Sequence, residues 1–225
     1  MKFSSDNTLA RPKAVIFDWD DTIVESWHKT LAALNAALTG MGREAWSDDE
    51  ARRRVGASAR DLFRQLFGDR WEEADKIYYD AFKKLFLKDI RIYAYAEDIL
   101  ALLAGNKVYL AVVSNKRGPL LRSEVEHIRF DRYFCKIVGS GDAEADKPDA
   151  APVHLALKNS GIPAGTDVWF VGDSPMDMTC ALNSGCTPVL LETRLHPEEL
   201  LSGSPPVHRF RKHKDLMEFL KACFT

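Results

Sequence analysis

Four short polar clusters carry the groups in this sequence that can do chemistry: Asp18-Trp19-Asp20-Asp21-Thr22, Ser114-Asn115-Lys116, Asp146-Lys147-Pro148 and Gly172-Asp173-Ser174-Pro175-Met176-Asp177. Three end an apolar run and the fourth lies a few residues after one, as loops at strand ends do. Singly, each also reads as ordinary loop chemistry, since acids cap helices, Ser-Asn makes turns, and Asp-Ser-Pro opens a helix with Pro in its first turn. Together they put Asp18, Asp20, Asp173 and Asp177 close to one another. Like charges at such range cost on the order of several kcal/mol per pair at low effective dielectric. A divalent cation with Lys147 brings three positive charges to these four carboxylates, and one bound proton neutralises the remainder. All-oxygen ligands suit Mg²⁺ rather than zinc.

Phosphoryl transfer needs this set of groups. Asp18 can accept the phosphoryl group, Asp20 can protonate the departing alkoxide, and Ser114, Lys147 and the cation can hold the equatorial oxygens. None of the other clusters calls for a third acid at Asp21, which reads as part of the turn.

For the clusters to converge, their strands must share one sheet, because the carboxyl ends of an open α/β sheet lie along one rim. Apolar runs at Ala14–Phe17, Val108–Val113, Cys135–Val138, Val168–Val171 and Pro188–Leu191 predict five strands covered on both faces. Helical patterns at Ala96–Ala104, Leu120–His127, Asp149–Ser160 and Pro175–Ser184 alternate with them, which makes a doubly wound, mainly parallel, Rossmann-like α/β core. The Pro-rich stretch 202–206 reads as a loop before a closing helix at Asp215–Cys223.

Between Thr22 and Ala96 the pattern is helical throughout: His28–Met41, a short basic helix Ala51–Val55 behind the capping-box spelling Ser47-Asp48-Asp49-Glu50, Ser58–Phe67 and Asp69–Leu87. The expected division is an α/β core, residues 1–24 with 96–225, and an inserted all-α domain, residues 25–95. The aromatic stripe of that insertion belongs to a core, not to a cofactor site.

With 225 residues, 46% hydrophobic and 28% charged, the chain can bury such a core and is not of disordered composition. A formal charge of −2 gives no general attraction to nucleic acid or to an anionic membrane, so anion binding must be local. No apolar run approaches a membrane span, and Met1–Lys13 lacks the apolar core of a signal peptide. Four cysteines without paired spacing read as reduced thiols rather than a zinc site. The expectation is a cytoplasmic monomer or homodimer whose partner is a small molecule, with no nucleic-acid or membrane partner.

In order and spacing the clusters resemble the four motifs of the haloacid dehalogenase superfamily: Asp-x-Asp-x-Thr at 18–22, Ser114 after the second strand, Lys147 before the fourth, and Gly-Asp-x-x-x-Asp at 172–177. A helical insertion between the first two motifs is similar to the small α-helical cap of the phosphoglycolate phosphatase-like branch. Val55-Gly56-Ala57-Ser58 resembles the cap loop that faces the active site there. The resemblance implies a Mg²⁺-dependent phosphatase that hydrolyses a small phosphorylated metabolite through an aspartyl phosphate. It makes Asp18 the nucleophile and a metal ligand, and Asp20 the acid/base and a ligand through its carbonyl. Asp173 and Asp177 become metal carboxylates, Ser114 and Lys147 phosphate binders, and Thr22, Asn115 and Arg60 the remaining substrate-side residues.

Two positions depart from the family pattern without removing a chemical group: Asp21 is often Gly, and Glu25 often Asp. A sugar phosphomutase of the same fold, β-phosphoglucomutase-like, is the alternative, because Arg52, Arg53, Arg54 and Arg60 could hold a second phosphate. A catalytically idle binder of a phosphorylated ligand would lack the nucleophile or a metal carboxylate, and none is lost here.

Overall fold

Ala14–Phe17 forms β1, a central strand with parallel partners on both edges and all four side chains buried, as in a sheet covered on both faces. The computed structural model describes residues 11–54, 59–85, 87–193 and 198–225, with 59–61 described by backbone only. Two compact units emerge: one takes in the chain up to Ile23 and from Ile92 onward, the other Val24–Arg91. The short strands β2 (Val24–Glu25) and β3 (Arg91–Ile92) pair with each other.

The second unit contains α1 (Trp27–Gly40), α2 (Asp48–Arg54), α3 (Ala59–Phe67) and, after a 3₁₀ turn, α4 (Trp71–Lys83). Apolar residues at helical spacing close its core, in which Leu34, Leu38, Phe63 and Ala74 are almost fully buried. The aromatic stripe lies there too: the Tyr78 ring meets Phe63 edge-on at 5.5 Å and stacks on Phe82 at 5.9 Å.

In the first unit, β4 (Tyr109–Arg117), β5 (Lys136–Ser140), β6 (Val168–Gly172), β7 (Thr187–Leu191) and β8 (His208–Phe210) join β1 in the order β5-β4-β1-β6-β7-β8, with every pairing parallel. Its helices are α5 (Ala96–Gly105), α6 (Gly118–His127), α7 (Ala151–Leu157), α8 (Pro175–Asn183), α9 (Glu198–Leu201) and α10 (His213–Phe224). One core cluster runs through Ile16, Val113, Val138, Val153, Phe170 and Ala181. Cys180 and Cys186 belong to it as free thiols.

Among the described residues the sheet therefore has six strands, not the five expected. β8 is only His208-Arg209-Phe210 and holds to β7 through backbone pairing, so it leaves no apolar run in the sequence. β4 is also longer than expected, continuing past Val113 to Arg117. Val113 pairs with Val138 and Arg117 with Ser140, so four steps along β4 match two along β5, and the excess forms a bulge at Ser114–Lys116. A bulge re-aims side chains and is invisible to a count of apolar residues.

The chain winds outward from β1 to β4 and β5, then returns to β6 on the other side of β1 and winds the opposite way. That reversal opens a crevice at the carboxyl ends of β1 and β6, the place where doubly wound sheets bind ligands.

Gly139 of β5 makes the bulge possible. A Cβ there would stand 2.5 Å from Gly118 Cα and 2.6 Å from the Lys116 carbonyl oxygen, both backbone atoms. Gly139→Ala is expected to lower the urea unfolding midpoint by an amount worth about 1–3 kcal/mol. Gly105→Ala, where a Cβ meets nothing within 4 Å, should leave the midpoint unchanged or raise it.

Candidate active site

Asp18 is the first residue beyond β1, and its backbone N–H still donates to the Val171 carbonyl at 2.9 Å. That bond fixes the Asp18 side chain at the crevice, where it is buried. Lys147 Nζ donates to Asp18 Oδ1 and to Asp177 Oδ1, each at 2.7 Å. Asn115, expected on the substrate side, has its amide committed to the lysine's backbone: Nδ2 donates to the Lys147 carbonyl at 3.0 Å and Oδ1 accepts from Lys147 N–H at 2.9 Å. The β4 bulge thus clamps the loop that carries Lys147. Asp146 tightens the same loop through Ser140 Oγ at 2.8 Å.

Asp173 and Asp177 come from the other lip of the crevice. Ser174 and Asp177 form a capping box at the start of α8: the Ser174 N–H and hydroxyl donate to Asp177 Oδ2 at 3.0 and 2.6 Å. Helix capping and site chemistry, alternatives in the sequence, are here the same residues. The glycine of Gly172-Asp173 serves close approach, because a Cβ on Gly172 would lie 2.4 Å from Asp177 Cβ and Cγ. Thr22 is fully buried beneath the cluster, its hydroxyl 3.5 Å from Asp173 Oδ1. Ser114 is buried as well, with Oγ accepting from the Lys116 N–H at 3.2 Å. The Val55–Ser58 loop and the Arg60 side chain lie outside the described residues.

Among the described residues, one group of acids could hold a metal ion: Asp18, Asp173 and Asp177, each offering a carboxylate oxygen, all within 4.8 Å of one another. Asp20 stands apart from it. Its Oδ1 accepts from Lys116 Nζ at 2.7 Å. Asp21 adopts φ 59° as a turn residue, and its carbonyl accepts from the Thr193 hydroxyl at 2.5 Å.

The charge count changes accordingly. Three clustered carboxylates face the Lys147 ammonium, leaving two surplus negative charges, the charge of one divalent cation. Asp18 registers the deficit: burial pushes its carboxyl from 3.8 up to about 7 against the pull of Lys147, with Asp177 and Asp20 adding to the rise. Burial alone would lower the Lys147 ammonium, but Asp177 and Asp18 outweigh it and hold its pKa above the ordinary lysine value. Hard oxygen donors around unbalanced negative charge fit Mg²⁺.

Glu124 and the part played by Lys116 went unread in the sequence. Glu124 sits on α6 with 1% of its surface exposed and accepts from Trp19 Nε1 at 2.8 Å and from Lys116 Nζ. The signal was present: Leu121, Glu124 and Val125 share one helix face, and a glutamate between two core residues at that spacing is a buried charge in need of a partner.

The sequence matches the profile of the family described as haloacid dehalogenase-like hydrolase over residues 15–191. The chain belongs to the haloacid dehalogenase-like hydrolases. It is 28% identical over 184 residues to a phosphoglycolate phosphatase of Pseudomonas fluorescens, covering 77% of this chain and 67% of that one. It is 27% identical over 210 residues to a protein of Caldanaerobacter subterraneus that carries the name pyrophosphatase PpaX, covering 93% and 95%. The fold is that of a haloacid dehalogenase-like family hydrolase from Streptococcus pneumoniae, with a TM-score of 0.82 at 20% identity over 93% of this chain and 98% of the other. The chain is thus an enzyme of a hydrolase family whose named relatives include phosphatases.

An acid whose folded pKa lies above its unfolded 3.8 binds more protons when folded. Its contribution to stability is present at low pH and lost as pH rises through about 7. In cation-free buffer at pH 8, Asp18→Asn is therefore expected to be more stable than the parent protein, by on the order of 1 kcal/mol or more, with the gap narrowing toward pH 5. Urea unfolding at the two pH values measures this, and a less stable variant at pH 8 would contradict it.

Proposed function

We propose that this chain is a Mg²⁺-dependent phosphatase that hydrolyses a small phosphorylated metabolite, phosphoglycolate-like, through an aspartyl phosphate on Asp18. The observation that carries the reading is the separation of two aspartates two residues apart. Asp18 lies among carboxylates with a lysine on it, whereas Asp20 stands off on a different lysine. That difference in partners supports the reading of Asp18 as the nucleophile and Asp20 as the proton carrier.

Asp18, Asp173 and the main-chain carbonyl of Asp20 would hold the cation. Asp177 adds charge behind them while its own oxygens stay hydrogen-bonded to Lys147 and Ser174. When bound, Mg²⁺ offsets the surplus negative charge and polarises the phosphoryl oxygens. In the first half-reaction an Asp18 oxygen bonds to phosphorus as the ester P–O bond breaks, and the leaving oxygen takes the proton of Asp20. In the second, Asp20 takes a proton from the water whose oxygen bonds to phosphorus as the Asp18 O–P bond breaks, which releases inorganic phosphate and returns the Asp18 carboxylate. Lys147 and Ser114 steady the phosphoryl group, and Lys147 also holds Asp18 in line. The inserted helical unit would act as the cap that excludes water.

Two of the four arginines behind the mutase reading are committed within the helical unit. Arg52 and Arg54 pair with Asp48 and Glu50 of their own helix at 2.6 and 2.9 Å, and lie over the Trp27 and Trp46 rings. No helix among the described residues is long and apolar enough to cross a membrane.

Phosphate release measured across a panel of phosphorylated metabolites tests the reading. Release from phosphoglycolate or another small ester is expected with Mg²⁺ and should stop on chelation and return on adding Mg²⁺. Asp18→Asn should fall by more than about a thousandfold while remaining folded. Turnover that survives chelation, or that Asp18→Asn retains, would overturn it.

A further inference from the structure

Asp20 emerges from a loop, and a loop aspartate has rotamers that aim its carboxyl differently. Here a chain of buried partners restricts it. Trp19, between the two aspartates, points into the core, fully buried and edge-on to Phe130 and Phe134 at 6.4 Å. Its indole N–H donates to Glu124 Oε2, and the same oxygen accepts from Lys116 Nζ, which reaches Asp20 Oδ1 at 2.7 Å. Side-chain exposure is 1% for Glu124 and 4% for Lys116, against 27% for Asp20. The chain thus starts in the core and ends at the edge of the crevice. An ion pair this deeply buried is weak evidence for stability, because desolvation consumes most of the Coulombic gain. It specifies geometry instead.

We propose that Lys116, anchored by Glu124 and Trp19, is the positioning residue for the acid/base Asp20, holding Oδ1 so that Oδ2 carries the proton delivered to the leaving oxygen. This rests on the phosphatase reading above. In the step concerned, Asp18 bonds to phosphorus and the ester P–O bond breaks. Its electron pair stays on the leaving oxygen, and the proton on Asp20 Oδ2 passes to that oxygen. An ammonium on Oδ1 excludes a proton there and leaves the second oxygen to face the ester. Lys116 itself touches neither phosphorus nor the leaving group in this account.

A positioning role for the proton carrier predicts dependence on the leaving group. An alkoxide needs its proton as the bond breaks, and 4-nitrophenolate does not. The test compares kcat/KM, which covers the steps through alcohol release, for phosphoglycolate and for 4-nitrophenyl phosphate, both with saturating Mg²⁺. The double variant Lys116→Met/Glu124→Gln removes both charges together, so neither is left buried alone. Its kcat/KM is expected to fall at least about thirtyfold on phosphoglycolate and less than about threefold on the aryl ester. Glu124→Gln alone, which keeps the shape and the acceptor for Trp19, should show the same selectivity in smaller measure and covers the case of a double variant that does not fold. An equal fall on both esters, or no fall on either, overturns the positioning role and leaves the phosphatase reading intact. A parent enzyme that hydrolyses neither ester overturns both.

Discussion

The Lys147 ammonium, buried and shared between Asp18 and Asp177, is the contact on which the rest of the site depends. It ties the carboxyl end of β1 to the first turn of α8, on the two sides of the point where the sheet reverses its winding. Neither carboxylate could be buried there alone, and one ammonium cannot neutralise three acids. The fold responds with fixed donors. Asn115 grips the lysine's backbone from β4, and Ser174 holds the far oxygen of Asp177 through a helix cap. What hydrogen bonding leaves uncompensated is a charge deficit, and a divalent cation matches it.

The two aspartates of the first motif differ because their side chains meet different lysines, Lys147 on Asp18 and Lys116 on Asp20. Trp19 turns into the core, where its indole donates to Glu124, and Lys116 bridges that glutamate to Asp20. Two ionic systems then sit side by side and are unequal: Lys147 faces three carboxylates, and Lys116 faces two, Glu124 and Asp20. That asymmetry lets neighbouring carboxylates of the same chemical type take different duties.

Much of this was legible in the sequence because strands buried on both faces write themselves as apolar runs. β1 and β6 were read to within a residue, and the polar residues that follow them marked the rim. What escaped was backbone geometry without a side-chain signature. β8 pairs through three residues of mixed polarity, and the bulge in β4 brings Lys116 inward beyond the point where the apolar run ends. Counting acids by motif put Asp20 in the metal cluster's charge balance, because nothing in the motif shows that a lysine from a neighbouring strand takes it out. The type of Asn115 marks a polar group near phosphate but does not show the two hydrogen bonds by which its amide also holds the Lys147 backbone, in a loop distant in sequence.

The central claim is that three buried carboxylates and one lysine form a site short of two positive charges. The direct measurement is calorimetric titration of the cation-free protein with Mg²⁺, alongside Asp173→Asn. The account predicts one saturable ion per chain in the parent protein and at least about tenfold weaker binding in the variant. No saturable uptake by the parent protein, or equal affinity in the two, would contradict it.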